Sequence, residues 1–121
     1  MDTLTPLEQA VLEKLLSGES DRYRILHNQI PALCVSERKM TGVGFFTRFS
    51  IPDDIPKLPD EATFQTGGVG ANINDLGHGA GFVLFVEDGQ IATLEGYTYD
   101  EPWPRNVHSF HLHFIPTSKR A

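Results

Sequence analysis

The spacing of the apolar residues changes once along the chain, near residue 31, and this change limits the folds that the chain can adopt. Before Pro31 the apolar residues lie three and four apart, which is the spacing of one face of an α-helix. After Ala32 they alternate with polar residues, which is the spacing of a strand with one buried face. Helices followed by strands predict an α+β fold, with an N-terminal helical hairpin packed on a mostly antiparallel β-sheet of about five to seven strands.

Two helices are predicted before Pro31. Thr5 can cap the first helix, which is predicted over residues 6–17, and Glu8 completes the sequence pattern of a capping box. Ser20 can cap the second helix, which ends near Pro31 because proline does not continue a helix. The connection between the two helices is short, so we expect them to form an antiparallel hairpin.

The first and last strands are indicated by alternation alone. Residues 33–38 and 40–51 alternate between apolar and polar side chains, and so do residues 107–115 near the C-terminus. Residues 52–60 contain three prolines, which exclude a regular helix or a central strand. This stretch is therefore predicted to be an irregular loop.

Two glycine pairs predict hairpin turns in the middle of the chain. Asp88-Gly89 lies between two runs of β-forming residues, which is among the strongest local signals of a hairpin. Gly67-Gly68 lies between two weaker runs and predicts a second hairpin. The strands that flank these turns are 80–87 and 90–97 for the first, and 62–66 and 69–73 for the second. Residues 80–87 are mostly apolar at both odd-numbered and even-numbered positions, so both faces of the strand are apolar. This pattern predicts a central strand with both faces covered.

Length and composition limit the class of protein. A chain of 121 residues is the length of one domain, and we expect residues 1–121 to form a single domain. The net charge of −6 and the absence of a basic stripe argue against a nucleic-acid partner. The longest apolar run, 79–86, is far too short to cross a membrane. One cysteine, and an N-terminus without a basic region or an apolar run, predict a cytoplasmic protein without disulfides.

Two histidines on one predicted strand are the candidate metal ligands. His111 and His113 are two residues apart, so their imidazoles lie on one face of the strand. A divalent metal needs a third or fourth ligand, which His78 could supply, whereas His108 has the opposite parity. The alternative is that the two imidazoles are polar side chains on a solvent-facing strand.

The segment from Glu95 to Pro104 is the candidate binding surface. It is rich in aromatic and acidic side chains, and aromatic residues dominate the energetics of protein interfaces. In the alternative interpretation the tryptophan covers the end of the sheet and the acids face water. The predicted binding residues are Tyr97, Tyr99, Asp100, Glu101 and Trp103.

Two stretches near the C-terminus resemble a family of small bacterial proteins whose activity is not established. They are residues 79–89, Gly-Ala-Gly-Phe-Val-Leu-Phe-Val-Glu-Asp-Gly, and residues 94–104, Leu-Glu-Gly-Tyr-Thr-Tyr-Asp-Glu-Pro-Trp-Pro. The segment Thr-Gly-Val-Gly-Phe-Phe at 41–46 fits the same resemblance. These phrases are also similar to those of small immunity-type proteins, which bind and neutralise a toxin. The resemblance implies a bacterial, cytosolic, single-domain protein and transfers no catalytic residue.

Three functions are consistent with these features. The first is a small cytosolic, non-enzymatic protein-binding module that uses the Tyr97–Trp103 segment and an acidic surface to bind a protein partner, and the resemblance implies an immunity-type protein as one form of it. The second is a metal-assisted enzyme centred on His111 and His113, with a divalent metal as its cofactor. The third is a binder of a small hydrophobic ligand within the phenylalanine-rich sheet, for which the sequence offers no polar anchor. No catalytic residue is assigned, and the first function is favoured.

Overall fold

The computed structural model describes residues 3–115 and has the α+β architecture that the sequence predicts. Two short helices come first, and six strands follow. Within residues 3–115 no helix has the length and hydrophobicity that crossing a membrane requires. The elements are α1 (Pro6–Leu15), α2 (Asp21–His27), 3₁₀ turns at Ile30–Ala32 and Pro59–Glu61, β1 (Cys34–Met40), β2 (Gly44–Ser50), β3 (Phe64–Ile73), β4 (Ala80–Glu87), β5 (Gln90–Thr98) and β6 (Phe110–Phe114).

The six strands form one sheet in which every neighbouring pair is antiparallel. Their order is β1-β2-β5-β4-β3-β6, so β3, β4 and β5 form a meander at the centre. The β1–β2 hairpin adds to the β5 side, and β6 returns to pair with β3. The first and last strands of the chain are therefore the two edges of the sheet.

The helix starts lie where the sequence predicts them, because both are marked by local capping signals. The Glu8 backbone N–H donates to Thr5 Oγ1 at 3.1 Å, and the Thr5 backbone N–H donates to Glu8 Oε1 at 2.9 Å, which completes the capping box. Ser20 Oγ accepts the backbone N–H of Tyr23 at the start of α2. Helix α1 ends at Leu15, two residues before the predicted end.

The helical hairpin predicted from the short connection is not confirmed. Helix α1 has its main contacts with β3, β4 and the 3₁₀ turn Ile30–Ala32, more than with α2. Both helices lie on the same side of the sheet, where the Tyr23 hydroxyl is 2.9 Å from the Thr66 hydroxyl. Each helix is thus held by the sheet, because the apolar strand face offers far more area for burial than a second short helix.

The hairpin predicted at Gly67-Gly68 is wrong, since these residues lie inside the single strand β3. The pairing of β3 with β4 shifts between Thr66 and Val69, which is a β-bulge. Gly68 has a φ of +95°, a conformation that glycine adopts without steric cost, and it absorbs the inserted residue without reversing the chain. A glycine pair between two β-forming runs is compatible with a hairpin turn and also with a bulge inside one strand. Only the pairing of this segment with β4 and β6 distinguishes the two.

The Asp88-Gly89 hairpin is confirmed. Glu87 pairs with Gln90, and both turn residues have positive φ, +54° at Asp88 and +80° at Gly89. This combination matches the twist of the flanking strands, which explains the strength of the Asp-Gly signal.

Strand β4 is central, as predicted, but only one of its faces is covered. Phe82, Leu84 and Val86 are buried against the helices, with at most 1% of each side chain exposed. Val83 and Phe85, on the opposite face, are only partly buried, because α1 and α2 both pack on the other side. We call this second side of the sheet, which no described helix covers, the open face.

One hydrophobic core lies between the helices and the sheet. Leucines from α1 and α2 pack on the inward side chains of the central strands, and the loop before β3 contributes Leu58. The main contributors are Leu7, Val11, Leu12, Leu15, Leu26, Phe45, Phe49, Val69, Ala71, Ile73, Phe82, Leu84, Val86, Ile91 and Leu94.

A buried glutamine connects the helical region to the tip of the β4–β5 hairpin. Gln29 is 0% exposed, and its Nε2 donates to the carbonyl oxygens of Pro56 and Gly89, both at 3.1 Å. Its Oε1 accepts the backbone N–H of Ile91 at 2.9 Å. The side chain therefore satisfies three backbone groups from two separate segments, which stabilises the proline-rich loop against the hairpin.

Replacing Gln29 with Leu is expected to lower the free energy of unfolding by about 3 kcal/mol, because it leaves buried backbone groups without partners. Urea denaturation monitored by circular dichroism measures this change. Asn28→Ala, at the exposed neighbouring position, is the control and is expected to change stability by less than about 0.5 kcal/mol. Equal stability of Gln29→Leu and the native chain would contradict this role.

Candidate functional site

The sheet divides the predicted binding segment between its two sides. Tyr97 lies on the open face, and its ring contacts Tyr99 edge-on, with 5.7 Å between ring centroids. Trp103 lies on the helix side, where its ring meets Phe45 edge-on at 5.2 Å. Because Phe45 faces the core, the tyrosines and the tryptophan belong to different surfaces. The structure therefore contains two candidate sites in place of the single one predicted.

The two acidic residues of the segment shape the turn that connects these surfaces. Both oxygens of the Glu101 carboxylate accept backbone N–H groups, from Gly77 and His78, at 2.9 Å each. These two hydrogen bonds lower the pKa of Glu101. Asp100 is exposed and has a φ of +73°, which places it at the turn itself. Glu101 thus holds the loop before β4.

Two glycines on the open face are covered by neighbouring rings. A methyl group at Gly81 would lie 2.6 Å from the Tyr97 ring, and one at Gly70 would lie 2.9 Å from His113 Cε1. Gly70 pairs with Gly81, and Gly81 pairs with Tyr97, so these residues form one row across the sheet. The rings occupy the space that side chains would fill, which fixes Tyr97 against the sheet surface.

The predicted metal ligands share a face, but within the described part of the chain they belong to no cluster that could hold a metal ion. His111 pairs with Asn72 and His113 with Gly70, and both imidazoles are exposed. Among residues 3–115 no group of three or more histidine, cysteine, aspartate or glutamate side chains is placed to hold a metal ion. The geometry therefore adds no support to the metal-site hypothesis.

A carboxylate lies in the middle of the aromatic open face. Glu95 is paired with Val83 on β4 and with Phe46 on β2, and it precedes Tyr97 by two residues on the same face. Glu95 is partly buried, and within residues 3–115 its side chain forms no ion pair and no hydrogen bond. The pKa of Tyr97 is raised by burial and, to a lesser extent, by Tyr99 and the Glu95 charge. The open face thus presents an unneutralised negative charge between apolar side chains.

The second site is a groove of about 350 Å³ on the helix side, beside the start of α1. It is bounded by residues 5–8, by the ends of β1 and β2, and by the segment 103–110. Its apolar lining includes Met40, Phe45, Trp103, Val107 and Phe110. We call it the Trp103 groove.

A glycine on the helix side explains how the wall of the Trp103 groove forms. A methyl group at Gly96 would collide with the Phe45 ring, so the ring lies over the β5 backbone only because the side chain is absent. Trp103 then packs on Phe45, and its backbone N–H donates to the Gly42 carbonyl oxygen at 2.8 Å. The aromatic wall is therefore held by both ring packing and a backbone hydrogen bond.

A partly buried ion pair lies at the polar wall of the Trp103 groove. Arg38 Nε and Nη2 donate to the two oxygens of Glu8, each at 2.8 Å, and Thr47 Oγ1 donates to Glu8 Oε2 at 2.7 Å. Burial of Glu8 favours its neutral form, but the hydrogen bonds from Arg38, Thr5 and Thr47 together lower its pKa. Glu8 is thus ionised and connects α1 to β1 and β2.

The position of Arg38 depends on a bulge that strict alternation does not anticipate. Regular pairing would put Arg38 on the face opposite Val35, which is the open face. The register of β1 shifts between Val35 and Glu37, so Glu37 faces outward and Arg38 turns toward α1. Glu8 is recognisable from the sequence as a capping residue, but its ion pair with Arg38 is not predictable from local sequence.

Comparison with known proteins adds no functional information. No protein-family model, curated protein or solved structure matches this chain significantly.

Replacing Glu8 with Gln is expected to lower the free energy of unfolding at neutral pH by about 3 kcal/mol, because it leaves Arg38 without its buried anion. A carboxylate with a lowered pKa contributes stability above its ordinary value of 4.5, and this contribution is lost as the pH falls through the folded-state pKa. The stability difference between the two proteins should therefore shrink below about pH 4.5.

Urea denaturation at neutral pH and at about pH 3 measures this difference. Glu13→Gln, on the exposed face of the same helix, is the control and should track the native chain at both pH values. A difference that stays constant as the pH falls would contradict an ionised Glu8.

Proposed function

We propose that this chain is a non-enzymatic protein-binding module, and that its open face binds a basic, partly apolar surface of another protein. The observation that carries this proposal is Glu95, a carboxylate whose side chain has no cationic partner in residues 3–115 and which lies between Phe46 and Val83 of the neighbouring strands. A charge in such a position favours a partner that supplies an arginine or a lysine there.

The surroundings of Glu95 suit a cationic side chain. Phe46 is 36% exposed and Tyr99 is 44% exposed, and the Tyr97 ring lies over Gly81 on the same face. Aromatic faces attract a guanidinium or an ammonium group, and they also supply apolar contact area. An arginine is therefore the side chain that best matches both the charge and the rings.

Two basic side chains, Arg48 and Lys39, occupy open-face positions on β2 and β1, and the first of them is already paired. Arg48 on β2 lies 3.9 Å from Glu37 on β1 in an exposed ion pair. The whole chain carries a net charge of −6, which attracts a basic partner at long range and speeds its association. Local and long-range electrostatics thus favour the same kind of partner.

The open face is large enough for a protein partner. Six strands about 4.8 Å apart span about 24 Å, and the central strands are about as long, which gives roughly 600 Å². This approaches the roughly 800 Å² that each partner contributes to a standard interface. Neutralisation of a toxin by such a surface is the form of this function that the immunity-type resemblance favours.

Selection from a random-peptide display library against the purified chain tests the proposal. The enriched peptides are expected to contain arginine or lysine beside an apolar residue. Glu95→Lys should weaken the binding of each enriched peptide at least about tenfold, since it replaces attraction with repulsion at the centre of the face. Calorimetric titration measures the affinities, and circular dichroism checks that the variant is folded.

Glu13→Lys is the matched control, because it makes the same charge change on the exposed face of α1. It should leave the affinities unchanged within about twofold. Enriched peptides without basic residues, or equal binding to Glu95→Lys and the native chain, would contradict the proposal. So would a dimer in sedimentation that Glu95→Lys dissociates, because the open face would then bind a second copy of the chain.

A further inference from the structure

We infer that the Trp103 groove is a second binding site, and that its ligand is a small apolar carboxylate such as an aryl-substituted or branched-chain acid. The groove is separate from the open face, since Trp103 and Tyr97 lie on opposite sides of the sheet. The inference therefore does not depend on the proposed protein partner.

The size of the groove favours a small molecule. Its volume of about 350 Å³ lies within the range of ligand-binding pockets. At about 30 Å³ for each water-sized group, it holds roughly a dozen such groups, which corresponds to one ring with a short chain. Three separate parts of the chain border it, so it is concave where a protein interface is usually flat.

The apolar part of the ligand is expected to contact Phe45, Trp103 and Phe110. Phe45 and Trp103 hold each other edge-on at 5.2 Å, so this wall is formed before a ligand binds. Trp103 is only partly buried, and its indole N–H donates to no group of residues 3–115. A ligand with an acceptor oxygen can satisfy this donor.

The charge that the groove offers to a ligand is positive, although the chain as a whole is acidic. The charged residues that line it are Glu8, Arg38 and Arg105. Only 3% of the Glu8 side chain is exposed, and its oxygens accept four hydrogen bonds from the protein, so a ligand does not meet it. The Arg38 side chain is 27% exposed, and Arg105 is exposed.

Arg105 is the residue that we assign to the carboxylate. Within residues 3–115 it forms no ion pair and no hydrogen bond, and it follows Trp103 by two residues on the segment that bounds the groove. A guanidinium group matches a carboxylate with two parallel hydrogen bonds, which gives both affinity and orientation. An apolar anion thus complements both the rings and the accessible charge.

Fluorescence titration provides a direct test, because Trp103 is the single tryptophan of the chain. The probe is 4-phenylbutyrate, and its controls are the uncharged 4-phenylbutanamide and the cationic 4-phenylbutylamine. The acid is expected to change the emission saturably, with a Kd between about 10 μM and 1 mM. The amide and the amine should bind at least about tenfold more weakly, because neither pairs with Arg105.

Two variants test the assignment of Arg105. Arg105→Ala should weaken the binding of 4-phenylbutyrate at least about tenfold, and Arg105→Glu should reverse the preference so that the amine binds better than the acid. Arg24→Ala, an exposed arginine on α2, is the matched control and should bind the acid like the native chain. Arg105 is exposed, so neither variant is expected to unfold the chain.

Several results would overturn the inference. One is the absence of a saturable change in emission with 4-phenylbutyrate up to about 10 mM. Another is equal affinity of the native chain for the acid and the amide. A third is that Arg105→Glu binds the acid as tightly as the native chain does. Binding of display-selected peptides to the open face is measured independently and is expected to be unaffected by saturating 4-phenylbutyrate, so failure at one site is distinguishable from failure at the other.

Discussion

The ionised Glu8 side chain determines how the first helix lies on the sheet. Its carboxylate closes the capping box of α1 and also accepts hydrogen bonds from Arg38 on β1 and Thr47 on β2. A carboxylate that is 3% exposed needs such partners, since an unpaired buried charge is strongly destabilising. These contacts hold α1 on the side of the sheet opposite the open face, with its N-terminus beside the Trp103 groove.

Glycines on β4 and β5 produce the two sites by the same physical means. Gly81 leaves room on the open face for the Tyr97 ring, and Gly96 leaves room on the helix side for the Phe45 ring. Each ring lies against a backbone without a side chain, which gives a fixed aromatic surface at little entropic cost. Tyr97 then supports Tyr99, and Phe45 supports Trp103.

The two β-bulges decide which side chains reach these surfaces. The bulge in β1 turns Arg38 toward Glu8, and the bulge at Gly67-Gly68 restores the inward direction of Val69 within one continuous strand. Each inserts one residue and so reverses the alternation that follows it. This is why strict alternation does not place Arg38 beside Glu8, and why the segment predicted as a hairpin is the single strand β3.

The sequence by itself determined the features that depend only on residues close together in the chain. The capping residues Thr5 and Ser20 marked the helix starts, Asp88-Gly89 marked the hairpin, and alternation marked the inward face of β6. Tertiary structure alone decided the strand order and the position of Arg38. It also decided that buried Gln29 hydrogen-bonds the β4–β5 hairpin, and that Trp103 and Tyr97 lie on opposite sides of the sheet. The physical reason is the distance along the chain. A cap or a turn is stabilised by atoms a few residues apart. The other features depend on contacts such as those of Arg38 with Glu8 and of Gln29 with Ile91, which join residues 30 and 62 positions apart, and no local pattern specifies such partners.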